Sequence, residues 1–375
     1  MARTTPAPAL PGAAAVQVTS SSSMELLATV FAFCAPDEHR PSYDVGTSWF
    51  RRAARTGGPL ATRIRTYAGG SLLFWDHVMG AAMDLGATDG LGVDGLLEGL
   101  SRVDPIELRT TLLGGHNRPV LRTVPDGLIA DAAAGSSEAA ARYRRLASRS
   151  DTSWQAAIGY LMARDPTTVR AELVELIAGW RATVYAPWEQ LTAPVLAERA
   201  ATDRETIARA ADPLATASEL VGGRPLPMDG VRRVQLITST IVRPYVYFLE
   251  HRDTLTYLYP QDMASAWPAK KQTDTDGEAE LEIGAHGRLL ATANALADEM
   301  RLQLLYLVRD SDHTMRDLIE RTGWPRSTVR HHLTMLVDAG LVQALTDRSR
   351  VTTYRMRDAA IPDLADLLRA YLRRD

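Results

Sequence analysis

The sequence predicts a mostly α protein in two parts: a large helical N-terminal domain with a small β element, and a smaller C-terminal α+β module. Three observations predict it. Apolar residues recur at helical spacing through most of residues 24–211. A polar stretch, Trp267 to Ile283, then carries five acids against two lysines, the composition shift of a linker. Beyond it lie two short amphipathic helices, a Gly-Trp-Pro turn and two alternating β-branched runs. The expected division is a disordered tail 1–23, a helical domain 24–266 with strands near 231–259, a linker 267–283 and a module 284–375.

In chain order, residues 1–23 are Pro, Ala, Ser and Thr with few bulky apolar side chains, which predicts disorder at least to Ala15; Val16-Gln17-Val18 has the pattern of a short strand. Met24 to Phe33 reads as a buried helix behind a Ser run that supplies its N-cap. Helical spacing continues over Trp49 to Arg55, Leu60 to Trp75 and Leu96 to Leu100. Asp104-Pro105 and Asp165-Pro166 are start signals, with Asp as N-cap and Pro at the first helical position. They predict helices from Pro105 to Leu113 and from Thr167 to Val184. A further helix spans Pro187 to Ala211, with a bend or start at Pro194. Val231 to Val242, Tyr245 to Leu249 and Leu255 to Tyr259 read as β segments forming a small sheet or hairpin against the helices. Trp49, Trp75, Trp154, Trp180, Trp188, Tyr160 and Tyr185 are candidates to line a pocket in this domain, although core or interface packing is the favoured reading for any one of them.

Arg288 to Arg309 is a helical entry to the C-terminal module. In Thr314 to Leu341, Met315, Leu318 and Ile319 form one apolar stripe, and Val329, Leu333, Leu336 and Val337 a second. Gly323-Trp324-Pro325 separates them, since Gly permits positive φ and the residue before Pro is pushed out of the α region. Gly340 closes the second helix. Leu341 to Leu345 and Val351 to Met356 make a hairpin with Arg348 and Arg350 at its tip. This is a helix-turn-helix followed by a wing, an arrangement that sets the second helix in a DNA major groove. The face opposite the second stripe carries Arg326, Ser327, Thr328, Arg330 and His331. Arg pairs bidentately with guanine, hydroxyls reach bases or phosphates, and helix N-terminal amides attract phosphate. From Arg321 to Arg357 there are seven Arg and two Asp, a local +5 in a chain of net charge −3. His332 reads as a packing or phosphate-contacting residue, and Trp324 as a plug beneath the turn. Ile361, Leu364, Leu367, Leu368 and Tyr371 predict a closing amphipathic helix.

On ALADEMRLQLLYLV, RDLIERTG, STVRHHLTMLVDAGLV and VTTYRM, the segment Leu296 to Met356 resembles the ArsR/SmtB-type winged-helix repressors. Arg301, His332-Leu333 and Gly340-Leu341-Val342 fall in register; Arg330 stands where many members have Ser. The resemblance implies a homodimer on an imperfect inverted repeat of double-stranded DNA, released by an effector. It also implies that the first and last module helices form the dimer interface, through Leu289, Leu290, Ala293, Leu364, Leu368 and Tyr371. The whole layout is similar to an actinobacterial group of such regulators with a long, uncharacterised N-terminal domain.

Metal-sensing members often carry a cysteine pair on the first helix of the helix-turn-helix; Met315 to Leu318 has none. The closing helix offers Asp363 and Asp366 without His, and His331 and His332 are neighbours that face different ways. No metal site and no cofactor is therefore expected, and the N-terminal domain becomes the expected sensor of a small-molecule effector. The single cysteine, Cys34, excludes a disulfide framework within one chain. No P-loop, GxSxG, HExxH or dinucleotide-binding glycine pattern appears, so no enzyme is expected. No apolar run reaches the roughly 18 residues of a membrane span, and a cytoplasmic location is expected. Two Lys against 40 Arg is the bias of a GC-rich bacterial genome. The alternatives are an enzyme domain, 24–266, with a DNA-binding appendage, or a ligand-independent architectural or protein-interaction module.

Overall fold

A computed structural model describes residues 15–37, 40, 43, 45–117, 120, 123–125, 127–147, 152–221, 226, 228, 230–243, 246–260, 292–293, 295–346, 352–357 and 360–372. The expected linker 267–283 lies outside the described residues.

The N-terminal unit begins earlier than the sequence suggested. Ala15–Thr19 is a strand, β1, at the place where Val16-Gln17-Val18 had the pattern of one, so the expected tail 1–23 does not hold from Ala15 onward. Helices follow: α1 (Ser22–Cys34), α2 (Gly46–Thr66), α3 (Leu72–Asp84), α4 (Val93–Arg102), α5 (Pro105–Leu112), α6 (Leu128–Ala133), α7 (Ser137–Leu146), α8 (Thr152–Ala163), α9 (Pro166–Trp180), α10 (Ala186–Arg209) and α11 (Pro213–Leu220). Strands β2 (Arg233–Ser239), β3 (Tyr247–His251) and β4 (Thr254–Pro260) complete it. The caps act as expected. The Asp104 carboxylate accepts from the amides of Ile106 and Glu107, both at 2.9 Å, and Asp165 from Thr168 at 2.9 Å. Asp212-Pro213 is the same signal, missed in the sequence, and it starts α11. A π-helical turn, Arg181–Tyr185, joins α9 to α10 where the pattern suggested two separate helices. The stretch read as one helix from Leu60 to Trp75 breaks at Tyr67–Gly70. There Gly69 has φ +71°, and a Cβ on it would stand 2.5 Å from that of Ala156, so α8 packs directly on the bare backbone.

The sheet order is β1-β2-β4-β3, with β1, β2 and β4 parallel and β3 antiparallel at one edge. Strand β1 pairs with β2 through Val16↔Val234 and Val18↔Leu236, so the entire helical run is the crossover between two neighbouring strands. Both faces are covered. Val18, Val234, Leu236, Leu255 and Tyr257 meet Ala200, Ile207 and Ala217 of α10 and α11. Ile237, Leu249 and Leu258 face the helical core that holds Met24, Phe74, Trp75 and Trp180. The sheet is thus a buried layer rather than a hairpin laid on helices. Its polar members disguised this in the sequence: inside, the Thr238 hydroxyl donates to the Leu196 carbonyl at 3.1 Å, and Gln235 Nε2 to that of Thr88 at 3.5 Å, while Gln235 Oε1 finds no partner among the described residues. Of the candidate pocket aromatics, Trp49, Trp75, Trp154, Trp180 and Tyr185 are buried in the helical core, and Tyr160 and Trp188 pack against it.

The C-terminal unit comprises α12 (Glu299–Leu307), β5 (His313–Thr314), α13 (Met315–Thr322), α14 (Arg326–Asp338), β6 (Val342–Thr346), β7 (Thr352–Met356) and α15 (Ala360–Leu372). Its antiparallel sheet runs β5-β7-β6. Leu304, Leu318, Val329, Leu333, Leu336 and Leu341 are at most 1% exposed and form its core. Met315, Ile319 and Val337 pack against them, so both expected stripes face inward.

Candidate nucleic-acid interface

Local chemistry fixes both helices of the helix-turn-helix. Thr314 and Asp317 form a capping box on α13: the Thr314 hydroxyl accepts from the Asp317 amide at 3.2 Å, and the Asp317 carboxylate from the Thr314 amide at 2.8 Å. Gly323 ends α13 at φ 71°, its amide donating to the Ile319 carbonyl. Pro325 then precedes α14, and no side chain among the described residues bonds to the first-turn amides of that helix. Those amides remain turned outward, as an anion site requires. At the far end Gly340 takes φ 70° and its amide donates to Val337, while the Leu341 amide donates to Leu336. Leu336 and Leu341 are both buried, which gives this pair of bonds its apolar seal.

The expected residues of this face lie as follows. Arg326, Arg330 and His331 are exposed, and Thr328 is half-buried. Ser327 lies in the first turn of α14; its side chain is outside the described residues. Arg326 and Arg330, four residues apart, share a face. Both guanidiniums act on the Tyr354 phenol of β7, favouring its charged form, although burial dominates and pushes that group up. Arg348 and Arg350 lie outside the described residues. On α13 the outward Arg316 is tied to Glu320 at 2.8 Å, so that helix adds little net charge beside α14. Tyr354 was missed in the sequence, where it is one more alternating β residue.

His332 turns inward. Its side chain is 11% exposed, with Nδ1 3.6 Å from Asp298 Oδ1. Trp324 is half-buried against the module core, the plug position. Among the expected dimer residues, Ala293 is exposed, Leu368 is 44% exposed and Leu364 is half-buried. Leu289 and Leu290 lie outside the described residues, as does the side chain of Tyr371. Ile361 of α15, with Leu302 and Tyr306 of α12, adds exposed apolar surface. Among the described residues no three His, Cys, Asp or Glu side chains gather as metal ligands, and no helix is long and apolar enough to cross a membrane.

Comparison with known proteins agrees with this geometry. Residues 298–344 match the family described as bacterial regulatory proteins of the arsR family. A probable mercury resistance operon repressor of Streptomyces lividans is 36% identical over 75 residues, which cover 20% of this chain and 59% of that repressor. No solved structure matches. The chain thus spans under two thirds of the relative's length, and its N-terminal unit lies outside the family match. Over residues 298–344 the C-terminal module thus carries a helix-turn-helix of the arsR type.

Proposed function

We propose that the chain is a sequence-specific DNA-binding transcriptional regulator: a homodimeric, cytoplasmic repressor of an imperfect inverted repeat, whose operator binding is modulated by a small-molecule effector at the N-terminal domain. The observation that carries the reading is the outward face of α14, where Arg326, Arg330 and His331 flank an uncapped helix N-terminus on a module of the arsR type. Arginines placed there reach base edges while the amides meet phosphate. Dimerisation is supported by the exposed apolar residues of α15, Ile361 and Leu368, and a two-fold dimer calls for a two-fold DNA site. The expected dimer residues remain part of this proposal.

The effector is proposed to act by differential binding: it prefers an arrangement of the protein that cannot engage the operator, and so shifts the population away from DNA. The relative's name speaks of mercury, but thiolate chemistry has little footing here. The module has no cysteine. Cys34, although it keeps some exposed surface, has its thiol pushed up to about 12 by burial, which suppresses the thiolate a soft metal needs. The N-terminal domain is proposed to bind its effector without turnover. The test is selection from a pool of random duplexes by the full-length protein: the proposal expects one enriched inverted repeat, and an unenriched pool from a folded protein contradicts it.

A further inference from the structure

The inward stripe of α14 contains one polar residue. Val329, Leu333 and Leu336 are buried to 1% or less, and His332 stands among them at the i+3 position from Val329. An imidazole in such a stripe is costly unless an opposing group compensates it. That group is Asp298, the N-cap of α12, whose Oδ1 accepts from the Arg301 amide at 2.9 Å and is thereby held in place. Oδ1 faces His332 Nδ1 at 3.6 Å, an electrostatic contact longer than a hydrogen bond, and Nδ1 makes no hydrogen bond among the described residues, so the carboxylate compensates it by charge alone. Oδ2 lies 3.9 Å from Arg301 Nη1. The Arg301 guanidinium is itself buried: Nε donates to the Ala295 carbonyl at 2.7 Å, and Nη1 reaches Met335 Sδ at 3.2 Å. Arg301 therefore touches α14 one turn from the position where His332 meets the carboxylate.

We propose that Asp298, Arg301 and His332 form a half-buried polar clamp that sets the rotation of α14 about its own axis, making His332 a positioning residue for base reading and not a DNA contact. The inference rests on the proposed DNA reading. Its physical basis is direction. Apolar contacts between α12 and α14 are non-directional and tolerate small rotations of either helix, whereas a carboxylate fixed by a capping bond attracts its partner from one side. A rotation of about 20° carries a side-chain atom some 6 Å from the helix axis through about 2 Å, enough to break a bidentate arginine–guanine contact. Arg326 and Arg330 project from this same helix, so their aim follows from where His332 is held.

The test uses the full-length protein and three variants. His332→Leu keeps the stripe apolar and removes the clamp; His332→Asn replaces Nδ1–H by an amide N–H on a shorter side chain; Asp298→Asn keeps the N-cap but removes its charge. Thermal melting checks folding. Affinity is then measured for the selected operator and for random duplex at several salt concentrations. The clamp predicts that His332→Leu melts at or above the wild-type temperature yet loses roughly tenfold in operator affinity. Random-duplex affinity and the salt slope stay unchanged, Asp298→Asn behaves similarly, and His332→Asn recovers most of the loss. A fall on both duplexes, with the salt slope reduced by about one, marks His332 as a phosphate contact and overturns the clamp. Operator affinity left intact in His332→Leu overturns it too, while a wild-type protein that prefers no duplex overturns the DNA-reading proposal itself.

Discussion

Glu25 gives the most exacting test of the N-terminal fold. It lies 1% exposed in α1 and pins that helix to the end of β2. Its Oε1 accepts from the amides of Thr240 and Ile241 at 3.0 and 3.3 Å and from the Thr240 hydroxyl, and its Oε2 accepts from the Ser239 hydroxyl at 2.5 Å. Glu25→Ala leaves two buried amide donors without an acceptor beside a new void. At about 1–3 kcal/mol for each orphaned donor, the loss comes to roughly 3–5 kcal/mol with relaxation. Glu25→Gln is the control. With its carbonyl oxygen at the Oε1 position it retains both amides, and only the Ser239 hydroxyl must turn to accept from the new N–H, so the cost is about 1 kcal/mol or less.

The pH dependence separates the two further. Burial raises the Glu25 carboxyl above its ordinary 4.5, against hydrogen bonds that favour the charged form. Trp188 Nε1 also favours that form, yet it makes no hydrogen bond among the described residues. A raised folded-state value means that the group's contribution to stability is full below the unfolded value and is lost as pH rises through the folded one. Glu25→Gln should abolish that slope. The assay is urea unfolding followed across pH on the transition of the N-terminal unit. Equal losses for Ala and Gln would show that the charge, not the acceptor geometry, holds α1, and would refute the reasoning.

Burial lowers His77 to about 4, and its Nδ1 donates to the Leu112 carbonyl at 2.9 Å. The unfolded state then binds more protons between pH 6.5 and 4, so stability should fall on acidification through that window by on the order of 3 kcal/mol; His77→Phe should flatten this part of the pH profile, and an unchanged profile would contradict the assignment. Arg326→Ala should weaken operator binding by about 1–3 kcal/mol and relax one base preference, whereas equal loss on random DNA would demote Arg326 to a phosphate contact. Arg350→Ala should weaken all duplexes alike and lower the salt slope by about one, and an unchanged slope would remove the wing tip from the backbone contacts.

What was legible in the sequence is what is local. Asp-Pro starts, the Gly323 and Gly340 stops and the two stripes of the helix-turn-helix each depend on residues within a turn or two of one another. The parallel sheet was not legible in this way. Its first strand, Ala15–Thr19, pairs with residues 233–237, and nothing within five residues of an Ala-Ser-Thr-rich segment records so distant a partner. The inward turn of His332 was legible only as one of two readings, packing or phosphate contact, for a related reason: a polar residue beside an apolar stripe reads as its border until Asp298, on another helix, supplies the opposing group. The arginine face of α14 was legible because charge clusters survive as sequence clusters. The electrostatic tie of Tyr354 to those arginines was not, since β7 and α14 are far apart along the chain.

The central claim is that α14 reads base edges, and paired selections from random duplexes test it most directly: one with the wild-type full-length protein, one with Arg326→Ala combined with Arg330→Ala. An inverted repeat enriched by the wild type and lost or altered in the double variant is the outcome expected. The same repeat enriched by both proteins, or none by the wild type, would contradict the claim.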